Sequence, residues 1–584
     1  MTEFGKRSLI VGNANTIHDP AICIVDGPNI FCESLERHMQ CKRAWDGNLH
    51  YSARAIKAGL SDLGGLPIEE ADIQLLSTWN IQTRDFWKAP SRIPLAPVRA
   101  QAEHISQNWR FESLLQSILS TGIASLDTRS RDASRFRIKN QALDHHLCHA
   151  ANACLTSPFD ECVVMVLDGF GEEKSSSFYH FKHNEFVPLA DGQASNLARN
   201  AVMGSFGTAY AIATMLCGFS PTDGEEWKVM GLAGYGGHNR RIYDFFRERT
   251  EIDGLNVEFN WATTSSLAEL EELIGGFRAP GEGLASQSAD LAHNFQLAWE
   301  DTLLEVADNL GRLGLSRNLA YGGGCALNSS TNGKILARTS FERLHVPSAP
   351  ADDGNALGAV LYHRYCVLSE PRDYQVFSPY LGSVAEISNL ERVLSFGGIR
   401  YQSTASSEEL CELVSDLLVN GAIIGWMQGR AEFGPRALGN RSILADPRPR
   451  DMKARINQRV KYREDFRPIA PSILVEHGER FFIDFQESPY MERALTVKSE
   501  VRDLIPAVVH ADFTARLHTV RKESNGLYYS LIESFFKKTG IPVLVNTSLN
   551  VMGKPIVHSV DDALAVFYTS GLDAMAIGRH VLTK

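Results

Sequence analysis

The sequence predicts an α/β protein of two domains, and three observations support this prediction. At 584 residues the chain is long enough for two or more domains that each bury a core. Short apolar runs separated by turn residues occur twice in similar sets in the first third of the chain. Around 366–382 the pattern breaks into CVLSEPRDYQVFSPYLG, with two prolines and mixed polarity. We therefore expect one domain at 1–370 and a second at 371–584.

Each set of apolar runs predicts three neighbouring strands. The first set is SLIVGN, AICIVDG and NIFCESLE, and the second is CVVMVLDG, SSSFYHFK and EFVPLA. Two copies of a three-strand unit indicate an internally duplicated α/β fold. Between the sets, apolar spacing predicts helices over 51–63 and 103–120. The second domain ends with a strand, IPVLVNTS, and a helix, DDALAVFYTSG, that Ser559 can cap.

Composition narrows the class of protein. With 44% hydrophobic and 22% charged residues, the chain has the balance of an ordinary soluble protein. Its ten cysteines form no CxxC pair, which favours a reduced, cytoplasmic protein. The first residues lack an apolar signal region, and no run approaches the roughly 18 apolar residues of a membrane helix. A net charge of −11 gives no reason to expect nucleic acid as a partner.

Histidines and aspartates in three segments are candidate metal ligands. In HHLCHAANA, His145 and His149 are four apart and share one helix face, although such pairs also occur on ordinary solvated helices. Asp168 ends an apolar run at a glycine-flanked turn, where it can hold a metal or form an Asx-turn. Asp352 and Asp353 precede a helix start and can cap that helix. Two histidines with two aspartates would form an N2O2 shell suited to Fe(II), Mn(II) or Zn(II).

A glycine-rich segment, AYGGGCALNSSTNGK at 320–334, predicts a ligand-binding loop. Gly322, Gly323 and Gly324 follow a short apolar run and lead into a predicted helix. Such a loop allows backbone N–H groups to approach a phosphate or a nucleotide ring. The spacing is not GxGxxG, so a dinucleotide site of the Rossmann type is disfavoured.

The second domain contains the strongest local charge signal. From Arg430 to Arg467 there are eleven Lys or Arg against five Asp or Glu, a net of +6. Surface charge runs are usually solvated, but here the basic residues alternate with Gly, Pro and Phe in GRAEFGPRALGNRSI and KYREDFRPIAP. This mixture indicates a shaped anion pocket, because guanidinium groups bind phosphate through paired hydrogen bonds.

Together these motifs resemble the O-carbamoyltransferases of natural-product biosynthesis, the family of the tobramycin and cephem carbamoyltransferases and the nodulation carbamoyltransferase. The resemblance spans nearly the whole chain, and seven motifs occur in the same order as in the family. They are HHLCHAA, LDGFGEE, GGGCALNS, the Asp-rich 352–358 stretch, GRAEFGPRALGNRSILADPR, KYREDFRPIAP and PVLVNTSLNV. The resemblance implies an N-terminal Kae1-like domain of the duplicated actin/Hsp70 nucleotide-binding fold. It implies a YrdC-like α/β domain at the C-terminus.

The resemblance also implies an activity. In the family, the YrdC-like domain hydrolyses carbamoyl phosphate to carbamate, which passes internally to the Kae1-like domain. There carbamate reacts with ATP to give carbamoyl-adenylate, and the carbamoyl group moves to a hydroxyl of a small-molecule natural product, as in antibiotic or toxin biosynthesis. Fe(II) is the expected metal, with Mn and Zn as alternatives, and ATP is expected with Mg. We expect no nucleic-acid or membrane partner, and a monomer or homodimer.

Site residues are carried over from the family by position. The metal ligands implied are His145, His149, Asp168 and Asp352, with Asp353 as the alternative to Asp352. The nucleotide-binding residues implied are Lys228 of EEWKVMGLAGYG, Gly323, Gly324 and Asn328. The carbamoyl-phosphate site implied comprises Arg436, Lys461, Arg467, Arg516 and Asn546, with Arg436 and Lys461 also assigned catalytic roles.

Two departures from the family pattern concern the acceptor and phosphate sites. His18-Asp19-Pro20 stands where the family tends toward HD followed by small residues, and ESLERHMQCKR at 33–43 is a loose version of an acceptor-side phrase. His18 and Asp19 are candidate bases for the acceptor hydroxyl, and Lys42 is a candidate acceptor contact. Met552 stands where an Arg is expected in relatives, which indicates that one phosphate contact is replaced.

Two other functions use related domains. A tRNA-modifying enzyme with threonylcarbamoyl-adenylate chemistry would need a basic surface of tRNA size, whereas this acidic chain offers one compact basic region. An actin-fold kinase or a chaperone-like ATPase would leave HHLCH and the whole second domain unexplained.

Overall fold

A computed structural model describes residues 7–14, 19–42, 49–65, 68, 71–78, 114–115, 118–119, 136–171, 174–191, 204–385 and 387–584. The described chain is a mixed α/β protein, which confirms the predicted class. The predicted helix at 51–63 corresponds to a helix at Leu49–Asp62. Most of the predicted helix at 103–120 lies outside the described residues, but 114–115 and 118–119 are helical. No helix in the described part of the chain is both long and apolar enough to span a bilayer.

The first two sheets have the same plan. Sheet one has the order β3-β2-β1-β4-β5, in which β1, β2 and β3 form an antiparallel meander and β4 and β5 run parallel to β1. Sheet two has the order β8-β7-β6-β11-β12, with the same directions. The strands are β1 Arg7–Ala14, β2 Ala21–Asp26, β3 Asn29–Ser34, β4 Ala71–Ser77, β5 Phe136–Ala142, β6 Cys162–Gly171, β7 Lys174–Lys182, β8 Glu185–Asp191, β9 Thr250–Asp253, β10 Asn256–Phe259, β11 Asn318–Gly322 and β12 Arg343–His345. The strands β9 and β10 form a separate hairpin.

Seventeen helices lie in the described part of the chain, leaving aside the short 3-10 and π turns and the fragments at 114–119. They are α1 Leu35–Met39, α2 Leu49–Asp62, α3 His145–Leu155, α4 Phe206–Leu216, α5 Glu226–Ala233, α6 Arg240–Glu248, α7 Thr264–Ile274, α8 Ala289–Gly311, α9 Ser329–Asn332, α10 Ile335–Arg338, α11 Gly354–Tyr362, α12 Ile387–Phe396, α13 Ser407–Val419, α14 Met452–Arg455, α15 Gly478–Phe481, α16 Gly526–Thr539 and α17 Val560–Thr569. As predicted, Ser559 caps α17, and it does so in a capping box with Asp562.

The helices α3 and α11 pack tightly against each other next to the two similar sheets, because both are rich in small residues. A Cβ atom at Gly358 would lie 2.0 Å from the carbonyl oxygen of Cys148, so only glycine allows this approach. Likewise, a Cβ atom at Gly12 on β1 would lie 2.1 Å from the carbonyl oxygen of Ala356. This contact brings the histidines of α3 close to the residues that precede α11.

The C-terminal part is built on one nine-stranded mixed sheet with its own large apolar core. Its order is β13-β21-β20-β14-β15-β19-β16-β18-β17. These strands are β13 Tyr401–Ser403, β14 Ile424–Met427, β15 Arg441–Ala445, β16 Ala470–Leu474, β17 Arg493–Thr496, β18 Thr514–Val520, β19 Val543–Ser548, β20 Ala574–Ile577 and β21 His580–Thr583. A π-helical turn at Ile456–Lys461 follows α14 and carries Lys461.

The segment predicted as the domain boundary contains no regular helix or strand between 368 and 385. It follows a π-helical turn at His363–Val367 and precedes α12. Leu381 in this segment and Phe433 beyond it belong to the same apolar cluster as α3 and α11. The two parts of the chain therefore share buried surface.

Candidate functional site

Four side chains from three segments converge in a buried pocket, which we call the histidine–aspartate pocket: His145, His149, Asp168 and Asp352. The Nε2 atoms of His145 and His149 lie 3.2 Å apart. Asp352 Oδ1 lies 3.4 Å from His145 Nε2 and 3.3 Å from His149 Nε2. Asp168 Oδ2 lies 3.5 Å and 3.7 Å from the same two nitrogen atoms.

The spacing of these donors fits one metal ion. Two ligand atoms about 2.0–2.2 Å from an ion lie roughly 3.3–3.6 Å apart in a tetrahedral shell. The separations of 3.2–3.7 Å in the pocket fall close to this interval. The donor set of two imidazole nitrogens and two carboxylate oxygens suits Fe(II), Mn(II) or Zn(II).

Local structure explains how each donor reaches the pocket. His145 and His149 lie one turn apart on α3, whose N-terminus is capped by Asp144 through the N–H of Leu147. The sequence suggested a turn at Asp168, but β6 continues to Gly171 and its pairing with β7 is interrupted after Leu167. Asp168 therefore lies in a β-bulge, a feature that redirects side chains near functional sites.

The two aspartates before α11 have different positions. Asp352 directs its carboxylate at the histidines, whereas Asp353 is the N-cap of α11 and accepts a hydrogen bond from the N–H of Gly354 at 3.0 Å. Both side chains are buried. Of the two alternatives left by the sequence, only Asp352 is thus in position to contribute a ligand to the histidine–aspartate pocket.

The pocket is strongly polarised. Burial alone would lower the pKa of His145, but Asp352 and Asp168 outweigh it and raise the pKa to about 10. Burial likewise opposes the shift at His149, whose pKa is nevertheless raised by Asp168 and Asp352. Burial would raise the pKa of the Asp168 carboxyl, yet the two imidazoles lower it. The carboxylates are therefore ionised and carry the charge that a cation would neutralise.

Neighbouring groups orient two of the donors. The N–H of Gly324 donates to the second carboxylate oxygen of Asp168, Oδ1, at 3.0 Å. The side-chain amide of Asn355 lies 3.3 Å from His145 Nδ1. With its carbonyl oxygen turned to this nitrogen, Asn355 would accept the Nδ1–H of a His145 that binds metal through Nε2. Sequence reasoning missed Asn355, although it lies in the DDGNALGAV phrase.

The glycine loop connects this pocket with the second part of the chain. Gly323 has φ +89°, and a Cβ atom there would lie 2.2 Å from the carbonyl oxygen of Leu167. Asn328 caps α9 by accepting from the N–H of Thr331, and its amide also contacts Gln296. The carbonyl of Leu327 accepts a hydrogen bond from Arg436 at 3.2 Å. The loop thus contacts both Asp168 and a basic residue of the second part.

Lys228, the predicted triphosphate contact, is buried on α5 and paired with two carboxylates. One is Glu225 on the preceding turn, and the other is Glu464, at 3.2 Å, in the second part of the chain. Glu464 also pairs with Arg467 at 2.5 Å. The structure therefore places Lys228 at the contact between the two parts, where its ammonium group forms ion pairs with carboxylates.

Five basic residues of the second part influence one another's ionisation and form what we call the cationic cluster: Arg436, Lys461, Arg463, Arg467 and Arg516. Burial lowers the pKa of Lys461 well below 10.5, and Arg463, Lys42 and Arg467 lower it further. Burial, Arg467 and Arg516 lower the pKa of Arg463 to about 9. Burial and then Arg516 lower the pKa of Arg436. Such mutual effects indicate a buried excess of positive charge.

Lys461 has unusual partners for a buried ammonium group. It donates to the carbonyl and hydroxyl oxygens of Ser548 and to Asn550 Oδ1, all of which are neutral. Arg516 Nε and Arg463 Nη2 are buried without a hydrogen-bond partner in the described part of the chain. Arg463 was missed by sequence reasoning, although it lies in the quoted KYREDFRPIAP phrase.

The basic stretch at 430–467 is not one pocket, contrary to the sequence prediction. Arg441 is fully buried and donates to four backbone carbonyls, including that of Ser383. Arg430 donates to the carbonyls of Ile30 and Leu381, and Arg450 pairs with Asp503. These side chains hold backbone segments together or face solvent, so only part of the charge lies in the cationic cluster.

The remaining predicted residues lie in different positions. Asn546 on β19 donates to the carbonyl of Ala437 and to Ser472, next to the Arg436 segment. Lys42 is close enough to affect the pKa of Lys461. Asp19 has φ +58° and lies close enough to Asp353 to contribute to its raised pKa, which burial dominates. His18 lies outside the described residues.

Comparison with known proteins agrees with the two-part architecture. A family model described as carbamoyltransferase N-terminus matches residues 9–361, and one described as carbamoyltransferase C-terminus matches residues 415–584. Nodulation protein NolNO of Sinorhizobium fredii is 36% identical over 451 residues, which cover 76% of this chain and 64% of that protein. An uncharacterized protein of Synechocystis sp. is 34% identical over 517 residues, 82% of this chain and 81% of that protein. The chain thus spans slightly less than two thirds of NolNO.

A transferase enzyme is the class that these matches define. The chain belongs to the carbamoyltransferase family, which confirms the resemblance stated from its motifs. Among solved structures, full-length HypF is 12% identical and overlaps with a TM-score of 0.32, covering 64% of this chain and 47% of HypF. That overlap is too low to support any conclusion about the fold.

Proposed function

We propose that this chain is an ATP-dependent O-carbamoyltransferase that moves the carbamoyl group of carbamoyl phosphate to a hydroxyl of a small-molecule natural product. One observation carries the proposal: the glycine loop contacts both predicted centres within four residues. Gly324 donates to Asp168 of the histidine–aspartate pocket, and Leu327 accepts from Arg436 of the cationic cluster. Carbamate decomposes in open water, so adjacent sites would limit its loss during transfer.

The charges of the two centres suit the two phosphate substrates. In the cationic cluster, Lys461 and Arg436 would bind the phosphate of carbamoyl phosphate, and Asn546 would orient it. In the first part, Gly323, Gly324 and Asn328 would face the nucleotide, and Lys228 would exchange a carboxylate for the triphosphate. A divalent ion held by His145, His149, Asp168 and Asp352, Fe(II) being our first expectation, would neutralise phosphate charge.

The reaction proceeds in three balanced steps. Water first cleaves carbamoyl phosphate into carbamate and inorganic phosphate at the cationic cluster. A carbamate oxygen then attacks the α-phosphorus of ATP and pyrophosphate leaves, which gives carbamoyl-adenylate. Finally the acceptor hydroxyl attacks the carbamoyl carbon, AMP leaves, and the hydroxyl proton passes to a base. His18 and Asp19 are our candidates for that base, and Lys42 for a contact to the acceptor.

We also propose the finer fold and domain assignment. The equal order and direction of strands in sheets one and two support an internal duplication of the actin/Hsp70 type at 1–370. The separate nine-stranded sheet and its own core support a second domain at 371–584, which we propose to be YrdC-like.

The nucleotide products test this proposal. Turnover of the full chain with carbamoyl phosphate, ATP, Mg and a competent acceptor should yield AMP, pyrophosphate and phosphate in equal amounts. Chromatography separates these products, and mass spectrometry of the acceptor should show a gain of one carbamoyl group. ADP formed one for one with carbamoylated product would contradict attack at the α-phosphorus. ADP without any carbamoylated product would instead indicate a kinase or ATPase.

A further inference from the structure

A second group of side chains that could ligate a metal lies at another contact between the two parts, and none of its members belongs to either proposed centre. Glu33 lies near the end of β3, and His38 lies in α1. His558 precedes α17 and is 525 residues beyond Glu33. Glu33 Oε2 lies 3.1 Å from His38 Nε2, and Glu33 Oε1 lies 3.2 Å from His558 Nδ1. The two imidazole rings are tilted by 46° to each other, with centroids 4.0 Å apart. We call these three residues the Glu33 cluster.

We propose that the Glu33 cluster is a binding site for a divalent ion of the Zn²⁺ class. Two imidazole nitrogens and one carboxylate form a common ligand set for Zn²⁺, Fe²⁺ and related ions, with further positions left for water. Ligand atoms about 2.0–2.2 Å from one ion, at angles of roughly 90–110°, lie about 2.8–3.6 Å apart. The separations of 3.1 Å and 3.2 Å lie within that interval.

The surroundings of the cluster favour a defined site. Glu33 is only 1% exposed, and Ser383 donates its hydroxyl to Glu33 Oε2 at 2.5 Å, which fixes the carboxylate from behind. His38 is buried, whereas the His558 side chain is 20% exposed. His558 therefore leaves the cluster one side open, through which an ion and its water ligands can enter.

An ion at this site would join the two parts of the chain. Glu33 and His38 belong to the first sheet and the helix after it, whereas His558 belongs to the segment between β19 and α17. The ion would bind only when these segments are together, and it would therefore stabilise the folded chain in proportion to its concentration. This inference does not depend on the proposed reaction.

Zinc stoichiometry of the full chain tests the site. The metal-stripped protein is dialysed against Zn²⁺ and its bound zinc is measured by elemental analysis. We expect two ions in the unaltered chain and one in His145→Ala/His149→Ala. In that background, His558→Ala should remove the remaining ion, because loss of a direct ligand exceeds the roughly 10–100-fold effect of a supporting residue. The exposed His238→Ala is the matched control and should bind as its parent does.

A spectroscopic measurement distinguishes loss of the metal ligands from misfolding of a variant. Co²⁺ added to His145→Ala/His149→Ala should give ligand-field absorption, and Glu33→Gln, which keeps the shape of the side chain, should abolish it. Circular dichroism verifies that each variant is folded, and added Zn²⁺ should raise the unfolding temperature of the His145→Ala/His149→Ala parent only while Glu33 is present. Unchanged zinc content in folded His558→Ala or Glu33→Gln would overturn the proposal. A chain with a single zinc ion, lost from His145→Ala/His149→Ala, would also overturn it and leave the Glu33 cluster as a hydrogen-bonded contact.

Discussion

The histidine–aspartate pocket is buried and the residues of the cationic cluster are buried or half-buried, but the charges of the two centres are balanced in opposite ways. In the pocket, two carboxylates face two imidazoles around one centre, and these carboxylates raise the pKa of His145 to about 10. In the cationic cluster, the Lys461 ammonium donates to neutral oxygens, and burial and then its neighbours Arg463, Lys42 and Arg467 lower its pKa. Because buried charge is costly without a partner, the carboxylates of the first centre would favour a cation and the second centre would favour an anion. Substitutions in one centre should therefore affect its own ligand and spare the ligand of the other.

The largest effect is expected when both histidines of the pocket are removed. His145→Ala/His149→Ala removes two of four donors, so we expect complete loss of the ion from the pocket and of carbamoyl-adenylate formation. Phosphate release from carbamoyl phosphate should persist, because the cationic cluster is intact. Elemental analysis and a phosphate assay measure the two results. A variant that kept the zinc content of the unaltered chain would show that the pocket does not bind an ion.

The reciprocal change removes one cation from the cluster. Lys461→Ala or Arg436→Ala should lower affinity for inorganic phosphate roughly 10- to 150-fold, since a charge-assisted hydrogen bond contributes about 1.5–3 kcal/mol. Affinity for a non-hydrolysable ATP analogue should stay unchanged, and isothermal titration measures both ligands. Arg450→Ala is the matched control, because Arg450 belongs to the same basic stretch but pairs with Asp503 on the surface. Equal losses for phosphate and nucleotide would mean that both ligands share one site.

A smaller effect is expected when the residue that orients His145 is removed. Asn355→Ala removes the amide beside His145 Nδ1 but leaves all four donors in place. We expect a loss of metal affinity of roughly 10–100-fold with unchanged phosphate affinity. Competition with a chelator of known affinity measures the metal. Asn256→Ala, at an exposed residue of β10, should show no change. An Asn355→Ala chain with native metal affinity would exclude this orienting role.

The smallest effect concerns pH. An ammonium group is charged below its pKa, so a pKa of Lys461 held below 10.5 means that its charge is lost at a lower pH than for an ordinary lysine. We expect phosphate affinity to decline a few-fold as pH rises through this lowered pKa. Lys461→Arg should retain affinity to higher pH, because a guanidinium group stays protonated. Identical pH profiles for the two proteins would show that Lys461 does not bind the anion as a cation.

Sequence patterns identified the segments of the site better than the partners of its residues. The period of HHLCHAANA placed His145 and His149 on one helix face, as the structure does. The pattern could not separate Asp352 from Asp353, because both precede α11 and only the approach of α3 to α11 determines which carboxylate meets the histidines. It also ended the strand at Asp168, since a β-bulge depends on pairing with β7.

The basic stretch shows the same limit more clearly. A count of charges gives Arg441 and Lys461 equal weight, yet Arg441 satisfies backbone carbonyls and Lys461 lies in the cationic cluster. Whether a guanidinium group binds a ligand or the backbone depends on carbonyls from distant segments, such as that of Ser383. Arg463 lay inside a quoted phrase and Asn355 inside the Asp-rich 352–358 stretch, but nothing in their spacing distinguished them from their neighbours.

The carboxylate of Glu464 is shared by Lys228 of the first part and Arg467 of the second. If a triphosphate bound Lys228, the ion pair between Lys228 and Glu464 would break. Glu464 would then pair with Arg467 alone, and the Arg467 guanidinium would bind a second anion less well. A phosphate bound at Arg467 would in turn strengthen the hold of Glu464 on Lys228. By thermodynamic reciprocity, each ligand would weaken the other by the same factor. One shared counter-ion would thus favour occupancy of one of the two anion sites at a time.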